Sequence, residues 1–78
     1  MRQDIENRIE ELEKEVYELQ YDVIFSMVAA YFQDQDKAKE WIGTENLNFG
    51  GTSPREMLEK GQFNKLKKFL VATLIEGY

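Results

Sequence analysis

Between Ile5 and Val23 the apolar residues recur at alternating steps of four and three: Ile5, Ile9, Leu12, Val16, Leu19 and Val23. Ser26 and Ala30 continue the row, so a heptad seam runs for nearly four repeats, a period that suits an α-helix and no strand. Neither Gly nor Pro occurs before Gly43, and Glu, Lys, Arg and Leu, which dominate the stretch, are good helix formers. The spacing predicts one helix from Ile5 to about Ala30. β-Branched residues hold the a positions (Ile9, Val16, Val23) and Leu12 and Leu19 hold d, the combination that favours parallel two-stranded coils. In that register Arg8 attracts Glu13 of a second chain, while Glu15 faces only Gln20.

A second stripe starts halfway along. Tyr17, Tyr21, Ile24, Val28 and Tyr31 recur on roughly the opposite side, and Phe25, Met27 and Phe32 fill the gaps. Residues 16–32 are therefore apolar nearly all round, which predicts burial all round. The expectation is an overhanging first half and a second half sandwiched between a partner helix and the chain's own module. About thirty helical residues span ~45 Å at ~1.5 Å each. A compact domain of this length is roughly 30 Å across, too small to cover the seam. The last helix could fold back along part of it, but reaches only about half, so a second chain is the more economical cover.

With 78 residues the chain is one small domain at most, and one of this size buries only ~60% of its unfolded surface. It has no cysteine and no histidine, which removes the usual zinc ligands, thiol nucleophiles and imidazole bases together. No catalytic set, metal site or cofactor is expected, and self-association is the remaining way to enlarge the core. The net charge of −5 is uneven: residues 1–42 carry five Lys/Arg against eleven Asp/Glu, residues 43–78 five against four. No face is basic enough to follow a phosphate backbone, so direct nucleic-acid binding is not expected. The longest apolar run, Val23–Phe32, is about half a membrane span, and the charged stretch before it is no signal-peptide n-region. A cytoplasmic protein without membrane contact is the expectation.

Beyond a joint at Gln33–Lys37, Asp34 or Asp36 can cap a short helix to Ile42 with Gly43 as its stop. Thr44–Gly51 reads as loop. Ser53, Pro54 and Glu56 then give three agreeing helix-start signals: an N-cap, a proline at the first helical position and a capping box. That helix should end at Gly61. A last helix follows with Phe63, Leu66, Phe69, Leu70, Thr73 and Leu74 on one face and Lys65, Lys67 and Lys68 off it, closed by Gly77. The predicted fold class is all-α: a long coiled-coil-like helix over residues 1–32, then a compact bundle of three shorter helices over residues 33–78 packed on its second half.

Residues 38–77 carry a recognisable pattern: Ala38, Trp41, Ile42, Asn46, Phe49-Gly50-Gly51, Ser53-Pro54, Met57-Leu58, Gly61, Leu66, Leu70 and Gly77. In this order the stretch resembles the toxin-binding domain of MbcA/ParS/Xre-type antitoxins, over about half the chain. The resemblance implies a type II antitoxin that blocks a RES-type, NAD-consuming toxin by occluding its active site with the C-terminal tip. Carried over by position, it implies toxin contacts at Ile75, Gly77 and Tyr78, with the loop of Phe49, Gly50, Gly51 and Thr52 beside them. The sequence departs from the family in three ways. The heptad helix stands where a DNA-binding helix-turn-helix is usual, Glu45 where proline often precedes the Asn, and Phe49 where Leu is usual.

Each feature also has a plainer reading. Trp41 reads first as core, Gly50-Gly51 as a tight turn needing positive φ rather than a phosphate cradle, and the lysines of the last helix as a solubilising face. The run Glu10, Glu11, Glu13, Glu15 and Glu18 reads as a solvated helix face, since catalytic carboxylates need a cleft. Two functions remain: the antitoxin-like inhibitor, and a coiled-coil dimeric adaptor or structural protein with no toxin partner.

Overall fold

The first helix ends at a residue that rarely ends one. In the computed structural model, which describes residues 2–76, α1 spans Arg2–Phe32, and Gln33 then takes φ 55°, the left-handed region that a side chain adopts reluctantly. Asp34 is extended and caps the next helix, its Oδ1 accepting from the N–H groups of Asp36 at 2.9 Å and Lys37 at 3.1 Å. The chain thus reverses within two residues, and α2 (Gln35–Gly43) packs on α1.

Gly43 is the last residue of α2 and not its terminator, because its φ stays negative. The stop is Thr44, whose N–H donates to the Trp41 carbonyl at 3.3 Å and whose hydroxyl donates to the Glu40 carbonyl at 2.6 Å. A single 3₁₀ turn, Leu47–Phe49, follows, with Asn46 holding the loop closed. Its side chain accepts from Asn48 N–H at 2.9 Å, its carbonyl accepts from Phe49 and Gly51, and its own N–H donates to Thr52. Gly50 and Gly51 take φ 68° and 85°, so the tight-turn reading of the pair describes it.

Ser53 caps α3 (Pro54–Glu59): its Oγ accepts from Glu56 N–H at 3.2 Å, half of the expected capping box, while the Glu56 carboxylate accepts from the Ser53 hydroxyl at 3.3 Å and not from its backbone N–H. Gly61 (φ 74°) ends that helix in a Schellman motif, with Gln62 N–H on the Met57 carbonyl and Gly61 N–H on that of Leu58. The last element, α4 (Phe63–Leu70), is not a uniform helix to its end. Val71–Ile75 winds wider, with Glu76 N–H reaching the Val71 carbonyl five residues back at 3.0 Å. The predicted terminator Gly77 lies outside the described residues.

The architecture is all-α, a long N-terminal helix followed by three shorter ones. One core joins them: Ile24 and Val28 from α1, Ala38 and Ile42 from α2, Met57 and Leu58 from α3, Leu66 and Leu70 from α4. Before Tyr17 every described residue of α1 is exposed. The result is elongated, 50 × 25 × 21 Å with a radius of gyration of 14.4 Å, against the ~12 Å of a compact chain this long.

Candidate functional site

Two apolar surfaces remain open on this body. The larger is the heptad seam. Ile5, Ile9, Leu12, Val16, Leu19 and Val23 are 43–66% exposed, although they are large aliphatic side chains in one row. The body sits on the other side of α1, where Ile24 and Val28 are buried and Tyr17 and Tyr21 half-buried. Residues 16–32 are accordingly covered by the body on one side only, not all round. The last helix contributes Leu66 and Leu70 to the core on that covered side and does not fold back along the seam.

Where the overhang leaves the body, the seam forms one wall of an open groove of about 890 Å³. Ile9, Leu12 and Val16 stand on one wall, Leu58, Glu59 and Gly61 on the other. Next to it, Tyr17, Tyr21 and Phe25 form a ladder along α1 with successive ring centroids 6.3 Å apart. Tyr17 lies near Arg55 and Glu59 of α3, and burial, reinforced by the Glu59 carboxylate, raises its pKa above 10.0.

The second surface lies at the far end of α1. The chain reversal at Gln33 leaves Tyr31 and Phe32 uncovered, so Tyr31, placed by its spacing on a buried stripe, is 58% exposed. With Trp41, Phe69 and Leu74 these two rings line a hollow of about 200 Å³ whose polar lining is Asn46, Asn48 and Thr73. A second hollow of about 300 Å³, lined by Met27, Ala30, Tyr31, Leu74 and Ile75, shares Tyr31 and Leu74 with the first. No charged side chain lines either one. Ile75 is 69% exposed at the rim.

The implied toxin contacts divide between these places. Phe49 is half-buried and stands edge-on to Phe69 with centroids 4.9 Å apart and to Trp41 at 6.3 Å. Gly50 and Gly51 form the turn behind it, and Thr52 is tied to Asn46. Ile75 instead projects beside Tyr31, while Gly77 and Tyr78 lie outside the described residues. Trp41 is half-buried, packed on the core with one edge in the hollow. Leu47, at the tip of the 3₁₀ turn, is 94% exposed, and nothing in its spacing singled it out.

The charged groups behave as surface groups. The acidic run stays exposed along α1, where Arg8 pairs with Glu11 at 3.3 Å in full solvent. Lys67 lies over the Phe63 ring at 5.7 Å, leaving Lys65 and Lys68 to solvent. Among the described residues no three carboxylates converge as a metal site would require, and no helix is long and apolar enough to cross a membrane. Comparison with protein-family models, with curated proteins and with solved structures finds no match.

Proposed function

We propose that the chain is a non-catalytic inhibitor of the type II antitoxin class, which neutralises a RES-type, NAD-consuming toxin in the cytoplasm. It does so by presenting its C-terminal end to the toxin's cleft. The observation that carries this reading is the pair of uncharged hollows around Tyr31 and Leu74, with an exposed Ile75 at their rim. Apolar side chains left open beside an exposed Ile75 suit a docking surface, since desolvated aromatic and aliphatic anchors supply most of the affinity of protein interfaces. The residues that carry the family resemblance support it from a different direction. Ala38, Ile42, Pro54, Met57, Leu58, Leu66 and Leu70 are buried, and Gly50, Gly51 and Gly61 take positive φ. The pattern is thus a building plan for the body, which leaves the exposed tip to carry specificity.

The test is co-expression with RES-type toxins, reading growth and retained cellular NAD. Neutralisation should survive Lys65→Ala and be lost on Ile75→Glu and on removal of residues 75–78. A truncated chain that still neutralises would overturn the docking tip.

A second reading, a dimeric adaptor with no toxin partner, is favoured by the open seam itself. It predicts a stable oligomer that binds no RES-type toxin.

A further inference from the structure

We propose that the seam on α1 is covered by a second copy of this chain, the two helices running parallel and in register. This goes beyond the inhibitor reading and does not rest on it, because its argument uses the row from Ile5 to Val23 and neither of the hollows around Tyr31.

The seam is open along its whole length. Its exposed side chains run from Ile5 to Val23, and the small residues Ser26 and Ala30, both exposed, continue the row to where Leu74 and Ile75 lie beside Ala30. The body is attached through Tyr17, Tyr21, Ile24 and Val28, on the other side of α1, so it does not occlude a partner helix. It offers that helix a second wall, since Leu58, Glu59 and Gly61 face Ile9, Leu12 and Val16 across the groove.

A second copy fits better than an unrelated helix because the row is complementary to itself. In a parallel pair, β-branched a residues meet β-branched a residues and Leu12 and Leu19 meet their own kind, the arrangement that two-stranded coils favour. Ser26 and Ala30 also meet themselves, letting the helices close up where the two bodies flank them.

Charge decides the orientation. In the parallel register Arg8 of each copy faces Glu13 of the other, and Glu15 faces the neutral Gln20, so these flanks oppose no two carboxylates. An antiparallel pair could also keep apolar layers, with Ile5 on Val23, Ile9 on Leu19 and Leu12 on Val16. It would gain Arg8 on Asp22 but would set Glu13 on Glu13 and Glu15 on Glu15. Arg8 can exchange partners at little cost, because its present contact with Glu11 is an exposed surface pair. A parallel dimer puts both bodies at one end, facing outward, so that their two Ile75 ends are presented together.

These 78 residues include no cysteine, so single introduced thiols report orientation cleanly. Light scattering on wild type should give twice the 9.2 kDa chain mass, and Leu19→Glu should halve it with helical content retained. Wild type at the single-chain mass across the micromolar range would overturn the proposal. Under mild oxidation Ile5→Cys should cross-link to itself at least roughly tenfold faster than Asn7→Cys on the far side of the helix, since a paired layer holds two thiols at millimolar effective concentration. Equal rates would overturn the seam as the contact. Cross-linking of Ile5→Cys only with Val23→Cys would overturn the parallel orientation, because those ends lie ~27 Å apart along a parallel pair at ~1.5 Å per residue.

Discussion

Val23 and Ile24 are adjacent in α1 and differ by one methylene, yet Val23 is 44% exposed and Ile24 is wholly buried. The difference comes from direction alone. Consecutive residues on a helix point ~100° apart, so one joins the stripe that meets the body and the other joins the seam. The body side is secured by intramolecular packing, and its strength is independent of how many molecules are nearby. The seam side has the residues of a core without a covering layer, so anything it contributes depends on association and therefore on concentration.

Substitutions on the two sides should separate accordingly. Ile24→Ala, which deletes a fully buried side chain, should lower the unfolding free energy by about 2–4 kcal/mol in urea titration. That is a large share of the stability of a chain this short, at roughly 0.05–0.15 kcal/mol per residue. The loss should be the same at every protein concentration; a loss that varies with concentration would break the distinction. Within the body, Gly50→Ala should cost about 1–2 kcal/mol, because φ 68° disfavours a Cβ even though none of the neighbouring atoms would clash with it. Gly50→Asn should cost less, since Asn tolerates that region.

Gly43→Ala should do the opposite, raising stability by about 0.5–1 kcal/mol, because Gly43 is helical with open space around it. A cost there would mean that α2 needs the flexibility of Gly43. Val23→Ala should change the unfolding free energy by less than about 0.5 kcal/mol in dilute solution, as exposed positions do, and by more as concentration rises. The smallest expected effect is at Tyr17. Burial raises its pKa above 10.0, so the folded state holds its proton where the unfolded chain has lost it. Its contribution is intact below pH 10 and declines as the pH rises from there through the folded-state value. Tyr17→Phe should flatten that alkaline decline, measured by thermal melts from pH 9 to 11.

The features legible in the sequence were those with local causes. The heptad spacing defines α1, Ser53-Pro54 with Glu56 starts α3, and Gly61 ends it in the left-handed conformation expected of such a position. The misread features depended on a choice between local options. Gly43 looked like a stop, but Thr44 satisfies the last carbonyls of α2 with both its N–H and its hydroxyl, so the glycine remains helical. The joint expected at Gln33–Lys37 is where the chain reverses, with Gln33 in the left-handed region and Asp34 capping the next helix.

The candidate site was harder still. Phe49 sits in a glycine loop, where a side chain is normally read as exposed, yet the turn at Gly50 and Gly51 brings its ring between Trp41 and Phe69. Tyr31 and Phe32 have the spacing of core residues, but the reversal after them leaves nothing to cover them. Helical periodicity says which side a residue faces; it does not say how far along the helix the rest of the chain extends.

That both stripes are cut into one rigid rod limits how the chain can change in length. An insertion between α2 and α3 leaves the phase of both stripes on α1 unchanged. One residue added to α1 near Val16 would rotate everything before it by ~100°, leaving the overhanging row out of phase with Leu19 and Val23. Seven residues added there would preserve both alignments to within ~20°. If lineages carrying this helix vary in the reach of the overhang, the viable lengths should fall on a ladder with rungs seven residues apart.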